Sequence, residues 1–214
     1  MVLDELSGKP FCPAQYLEYE APAVRRDEIL RYSGVRPGSG EPGGDAGALC
    51  DEVIGQAAQV FTYRVAAQHI SLKADVTDIP VLDIFNKSEN LKKNLDGCDE
   101  AMVFAATVGA GIDHLIRRYE RLEPARSLML QAHGAERVEA LCDVFNAEVK
   151  QAAKEAGYKA HPRYSPGYGD LPLDVQPMLL EQLNAEKRLG ITLGSSYLMS
   201  PSKSVTAVRG LERI

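Results

Sequence analysis

The residues best suited to chemistry lie in the segment Arg163-Tyr164-Ser165-Pro166-Gly167-Tyr168, within the densest run of Pro, Gly and Tyr in the sequence. Arginine carries a planar fork of donors that matches a carboxylate. Gly167 permits a backbone conformation, or a close approach to a ligand, that a side chain would block. Pro166 holds the preceding turn, and Tyr168 supplies an aromatic face with a hydroxyl. Such a loop can bind a small zwitterion largely through its backbone, with Arg163 holding the acid end. The same residues also suit a surface turn with two packed tyrosines.

Other chemistry-bearing residues are scattered. Cys12, Cys50, Cys98 and Cys142 lie dozens of positions apart, so no loop presents two thiolates to zinc. Cys142 falls in the apolar pattern Val138, Leu141, Val144, Phe145 and reads as a small core residue. His69, His114, His133 and His161 form neither HxxxH nor HExxH, so no metal is expected. Ser200-x-x-Lys203 matches the SxxK pattern of penicillin-recognising enzymes without its companion motifs and reads as a polar turn. Gly109-x-Gly111 follows an apolar strand, but position 114 is His where a dinucleotide-binding fingerprint needs a third glycine. A bare strand–turn–helix connection is the better reading.

The elements that must position these residues follow from periodicity. Residues 1–24 read as an extended arm, because Pro10, Pro13 and Pro22 interrupt any helix. Residues 25–214 read as a single α+β domain, with a flexible Gly/Pro loop over 36–47. Helices are expected over Asp27–Tyr32, from Asp45 or Ala46 to Ala58, after a Ser88 cap, and over Ile112–Leu122. A long one is expected over Ala125–Ala156, ended by Gly157, and another from Asp174 to Leu183. Strands are expected over Val60–Val65, Ile79–Phe85, Met102–Thr107, Ile191–Leu193 and Ser204–Val208. The order lacks a βαβ rhythm, which favours a mixed or antiparallel twisted sheet packed with helices over a doubly wound sheet.

Composition narrows the function classes. The 214 residues are 45% hydrophobic and 25% charged, enough for an ordinary folded core. Thirty acidic residues against 24 basic ones give a net charge of −6, which argues against a broad nucleic-acid surface. No apolar run approaches the roughly 18 residues of a membrane span, and the start lacks the order of a signal peptide. The expectation is a cytoplasmic protein with neither nucleic-acid nor membrane partners.

Several of these segments together resemble a known family. Arg163-x-x-x-Gly167-Tyr168 matches the RxxxGY motif of the activation (reactivation) domain of cobalamin-dependent methionine synthase. Gly190–Met199 and Pro201–Val205 resemble that domain's next stretch in order and spacing. The chain is more similar still to stand-alone activation-domain-like proteins of bacteria. The shared segments are Asn94–Glu100, Phe104–Gly109, Ser165–Leu173 and Pro201–Ala207. The similarity runs from about residue 25.

The resemblance implies an activation-domain-like α+β fold and an accessory role. In the family, the domain binds S-adenosylmethionine beside the cobalamin domain and enables reductive methylation of cob(II)alamin, with the electron from a flavodoxin-type protein. By resemblance, Arg163, Ser165, Gly167 and Tyr168 fall on the adenosylmethionine-contacting loop, and Glu139 on a carboxylate position that contacts the ligand. The implied partner is a cobalamin-dependent methionine synthase lacking its own activation domain, because this sequence has no DxHxxG motif for cobalamin. The chain would then contribute to methyltransferase activity as an activation subunit, and whether it is an enzyme alone stays open. Two departures from the family pattern stand out. An aromatic ligand contact lies in a segment past the point where this sequence ends, and Gly157 stands where an acidic residue precedes the motif. They motivate the alternative of a non-catalytic module that binds a corrinoid protein without S-adenosylmethionine.

Overall fold

A computed structural model describes residues 13–35, 44–74 and 80–214. Cys12, the first half of the N-terminal arm and residues 36–43 of the Gly/Pro stretch lie outside the described residues. The chain order is β1 (Gln15–Tyr19), α1 (Arg26–Tyr32), α2 (Asp45–Ala57), β2 (Tyr63–Ser71), a 3₁₀ segment (Pro80–Lys87) and α3 (Glu89–Asn94). Then come β3 (Cys98–Thr107), α4 (Gly111–Tyr119), α5 (Pro124–Glu155) and β4 (Tyr158–Tyr164). A 3₁₀ turn (Leu173–Val175) leads into α6 (Gln176–Gln182) and α7 (Ala185–Leu189). The hairpin of β5 (Thr192–Leu193) and β6 (Met199–Ser200) precedes β7 (Ser204–Arg213).

The main sheet has the order β1-β2-β3-β7-β4, antiparallel at every pairing. Alternation along its strands explains the layers, since successive side chains leave a strand on opposite faces. Val65 and Ala67, Phe104 and Ala106, and Ala207 and Leu211 pack on one face with residues of α1, α2, α4 and α5. Ala66 and Ile70, Val103 and Ala105, and Val208 pack on the other with the 3₁₀ segment, α3, α6 and α7. With helices on both faces, β3 needs no polar side, which is why Ala101–Ala106 reads as an uninterrupted apolar run.

Most expected elements form, and the α+β class with a helix-packed antiparallel sheet holds. One strand is corrected. Ile79 lies outside the described residues, and Pro80–Phe85 belongs to the 3₁₀ segment rather than to a strand. Val81, Leu82 and Ile84 all enter the same apolar cluster, whereas a strand would send Val81 and Leu82 to opposite faces. Asp45–Gly47, the end of the Gly/Pro stretch, form the first turn of α2. Strand β7 continues to Arg213, beyond the expected Val208. Among the described residues no helix is long and apolar enough to cross a membrane.

Helix α5 is the main support of one face. Phe145 packs on Phe104 of β3 with ring centroids 4.8 Å apart. One turn carries a buried ion pair: Arg137 donates to both Glu136 oxygens at 2.6 Å and to the carbonyls of Pro22 and Ala23 at 2.6 and 2.9 Å. Arg25 adds a backbone and a side-chain donor to the same carboxylate, each at 3.2 Å. Charges buried this way are tolerated because every partner is met. Their effect is to bind the stretch between β1 and α1 to the helix.

His133, a turn earlier, is 1% exposed. Its ring stands edge-on to Phe61 at 5.1 Å, and neither nitrogen has a hydrogen-bond partner among the described residues. Burial, and then the charge of Arg137, push its pKa from 6.5 down to about 4. Unfolding restores the ordinary value, so between pH 6.5 and about 4 the unfolded chain holds the extra proton and stability falls with pH. The contribution is on the order of 3 kcal/mol. In thermal melts, His133→Leu is expected to lose less stability than the parent between pH 7 and 4; parallel curves would contradict the assignment.

Candidate functional site

Strand β4 follows β7 only as far as the Tyr164–Val208 pair, while β7 itself begins at Ser204. Residues Ser204–Ala207 therefore pair with β3 on one side and have no strand on the other. The sequence dictates this parting. Pro166 has no N–H to offer a ladder, and Gly167 takes φ +90°, in the left-handed region that favours glycine. The turn is closed by Tyr168 N–H to the Ser165 carbonyl at 3.2 Å and by Gly167 N–H to the Leu171 carbonyl at 2.8 Å.

The turn is also fixed from outside. Asp170 accepts from the Ser88 hydroxyl and from the backbone N–H groups of Glu89 and Asn90, at 2.8 and 3.3 Å. Ser88 in turn accepts from Leu91 N–H at 2.9 Å, capping α3. The Ser88 hydroxyl and those backbone donors hold the Asp170 carboxyl below the usual carboxylate range. At Gly169, φ +56°, a Cβ would collide with the Tyr164 hydroxyl and approach Asn90 Nδ2 to 2.8 Å, so only glycine fits. Tyr164 spends that hydroxyl on the Tyr168 carbonyl at 3.1 Å.

The parting of the strands opens a cavity of about 480 Å³, within the range of roughly 300–1,000 Å³ usual for small-molecule sites. Glu139 of α5, Arg163 and Tyr164 of β4, and Ser165, Pro166 and Tyr168 of the turn line one side. Gln176 of α6, Met199 of β6, and Ser204, Val205 and Thr206 of β7 line the rest. The structure thus brings Glu139, Arg163, Ser165 and Tyr168 together on one cavity. Tyr168 stands at its mouth, 70% exposed. Gly167 is not a wall residue; it shapes the turn from behind, against Leu173.

Gln176, Met199 and Ser204–Thr206 were not singled out from sequence. Gln176 carries a readable signal, a polar residue one helical turn before the core residues Leu179 and Leu180. The β7 residues do not, because their exposure arises from where β4 ends.

The electrostatics favour an anion beside a cation. Arg163 forms an ion pair with Glu139 through one terminal nitrogen. Its other terminal nitrogen is buried with no oxygen or nitrogen acceptor among the described residues, and the neighbouring partner of the guanidinium is the Cys142 sulfur. The nearby Cys142 thiol is pushed up to about 12 by burial, so it stays neutral and is only a weak acceptor. Arg209, the cross-strand neighbour of Arg163, donates to the carbonyl and side-chain oxygens of Asn146 at 3.1 and 2.8 Å, and its buried Nε has no partner among the described residues. A second guanidinium thus stands beside Arg163, while Glu139 is the carboxylate paired with Arg163. An α-amino acid, with ammonium and carboxylate on one carbon, complements such a pair. Among the described residues no three His, Cys, Asp or Glu side chains group closely enough to hold a metal ion.

Residues 85–211 match the sequence model of a family described as vitamin B12 dependent methionine synthase, activation domain. All the cavity residues fall inside that range. Among solved structures, the chain is similar to a crystal structure of the MetH reactivation domain bound to AdoHcy. The identity is 17% over 92% of this chain and 78% of that one, with a TM-score of 0.61. That likeness is one of fold. No curated protein sequence matches the chain.

The tether of the turn can be tested on its own. Asp170→Ala is expected to raise amide hydrogen exchange across 165–171 and at the start of α3 while leaving β3 and β7 protected. Unchanged exchange in the turn would show that Asp170 does not hold it.

Proposed function

The chain belongs to the family of vitamin B12 dependent methionine synthase activation domains, and from that premise we propose that it binds S-adenosylmethionine in the β4–β7 cavity and acts as an accessory protein in reductive reactivation of a cobalamin-dependent methionine synthase. The observation that carries this reading is the Arg163–Glu139 ion pair, partly exposed and lining the cavity. A ligand carboxylate can share the guanidinium with Glu139. Glu139 then faces the ammonium or sulfonium charge of the same ligand.

Each residue of the earlier reading takes a defined part. Arg163 and Glu139 hold the amino-acid end. Ser165 and the turn backbone are placed to bond the adenosine portion, and Tyr168 offers its ring at the mouth, toward an arriving partner. Gly167 keeps the turn in the one conformation that leaves the cavity open. The cobalamin is carried by the partner synthase, and a flavodoxin-type protein supplies the electron. When all are present, S-adenosylmethionine provides the methyl group that restores the oxidised cobalamin. The residues of this chain hold and orient that donor rather than react with it.

Titration calorimetry with S-adenosylmethionine tests the binding. A hydrogen bond to a charged group contributes about 1.5–3 kcal/mol, so Arg163→Ala is expected to weaken binding by roughly ten- to a hundredfold. In an assay of inactivated synthase with flavodoxin reductant and S-adenosylmethionine, the protein is expected to restore turnover and Arg163→Ala to fail. No heat from the parent protein, alone or with the synthase, would favour a corrinoid-protein-binding module that does not use S-adenosylmethionine.

A further inference from the structure

The cavity has a second polar wall on the opposite side of β7 from Arg163. Gln176 opens α6 and is 4% exposed, and Thr206 of β7 is 2% exposed. The Thr206 hydroxyl donates to Gln176 Oε1 at 2.7 Å. Both residues line the cavity. The Thr206 hydroxyl thus engages one lone pair of the amide oxygen and orients the amide. No described residue accepts from Gln176 Nε2. Gln176 lines the cavity, so an acceptor for its Nε2 can arrive from there.

We propose that Gln176, oriented by Thr206, is the residue that reads the base of the adenosyl ligand by donating from Nε2 to an acceptor nitrogen of the purine ring. The inference rests on the proposed binding of S-adenosylmethionine and adds the residue that sets its base specificity. Three observations select a purine nitrogen. First, with its oxygen engaged by Thr206, the Gln176 amide has its Nε2 N–H groups to offer a ligand, and ring nitrogens N1, N3 and N7 of adenine are acceptors only. Second, Pro166, Met199 and Val205 supply apolar surface in the same cavity, suited to a flat ring. Third, the alternation of β7 separates the two ends of the ligand. Arg209, beside Arg163, reaches Asn146 on α5, whereas Thr206, of opposite parity, reaches α6. The amino-acid end and the base then lie on opposite sides of the strand, with the unpaired edge of Ser204–Ala207 between them.

The consequence is selectivity. Gln176 is a positioning and specificity residue that takes no part in methyl transfer. A base with N–H at the recognised ring position would bring donor against donor and bind poorly.

The experiment measures calorimetric dissociation constants of S-adenosylhomocysteine and its 1-deaza, 3-deaza and 7-deaza analogues. The proteins are the parent, Gln176→Glu, Gln176→Leu and Arg163→Ala. Glutamate keeps the oxygen that Thr206 needs and removes the donor, so the local packing is retained. The parent is expected to bind one of the three analogues at least about fivefold more weakly than S-adenosylhomocysteine, the size of one net hydrogen bond. Both Gln176 variants are expected to bind S-adenosylhomocysteine about fivefold or more weakly and to lose that discrimination, while Arg163→Ala binds more weakly and keeps it. A parent that binds all four ligands alike, or Gln176 variants that retain the parent's discrimination, would overturn the inference and leave the binding proposal standing. A parent that binds none of them would overturn both. Circular dichroism of the variants separates loss of the contact from loss of the fold, and the leucine variant decides the matter if the glutamate variant does not fold.

Discussion

The site depends on one break in the sheet, the departure of β4 from β7 after the Tyr164–Val208 pair. A strand edge carries backbone donors and acceptors that need partners. At most sheet edges water provides them. Here α5 and α6 stand on either side of the open edge, so Ser204–Thr206 line a cavity instead of an outer surface. What keeps β4 from closing the gap is the turn that follows it. Pro166 cannot extend a ladder, Gly167 bends the backbone away, and Asp170 fastens the far end of the turn to α3. The cavity is the space this constraint leaves open.

Charge then decides what can enter. A carboxylate–guanidinium pair that were sealed and fully satisfied would be a structural feature, as Glu136 and Arg137 are elsewhere on α5. The Arg163–Glu139 pair differs in being partly exposed and in lining the cavity. Arg209, the cross-strand neighbour of Arg163, adds a second positive charge whose hydrogen bonds go to the neutral Asn146. The two pairs sit on one helix, with the sealed one binding the chain to α5 and the open one at the cavity. An amino acid can exchange with the open pair ion for ion, so little charge is left uncompensated when it binds.

Much of this was legible in the sequence, for physical reasons that differ by element. The long apolar period of α5 and the unbroken apolar run of β3 report burial directly, and Ser88 announces its cap. Arg163 and Tyr168, expected from the sequence as ligand contacts, both line the cavity, and Gly167 shapes the turn behind it. The 3₁₀ segment Pro80–Lys87 was misread, because a short apolar run has the same composition whether it extends or winds. The β7 edge and Thr206 were invisible, since nothing in Ser204–Ala207 records where its neighbour strand stops. The partnership of Gln176 with Thr206 joins residues 30 positions apart and exists only once α6 is laid across the sheet.

The most direct measurement is a crystal structure of the protein grown with S-adenosylhomocysteine. The account predicts the nucleoside lying along Ser204–Thr206, with the ligand's carboxylate on the Arg163 guanidinium. Density for the ligand elsewhere, or a cavity unchanged with Arg163 still bound only to Glu139, would contradict it.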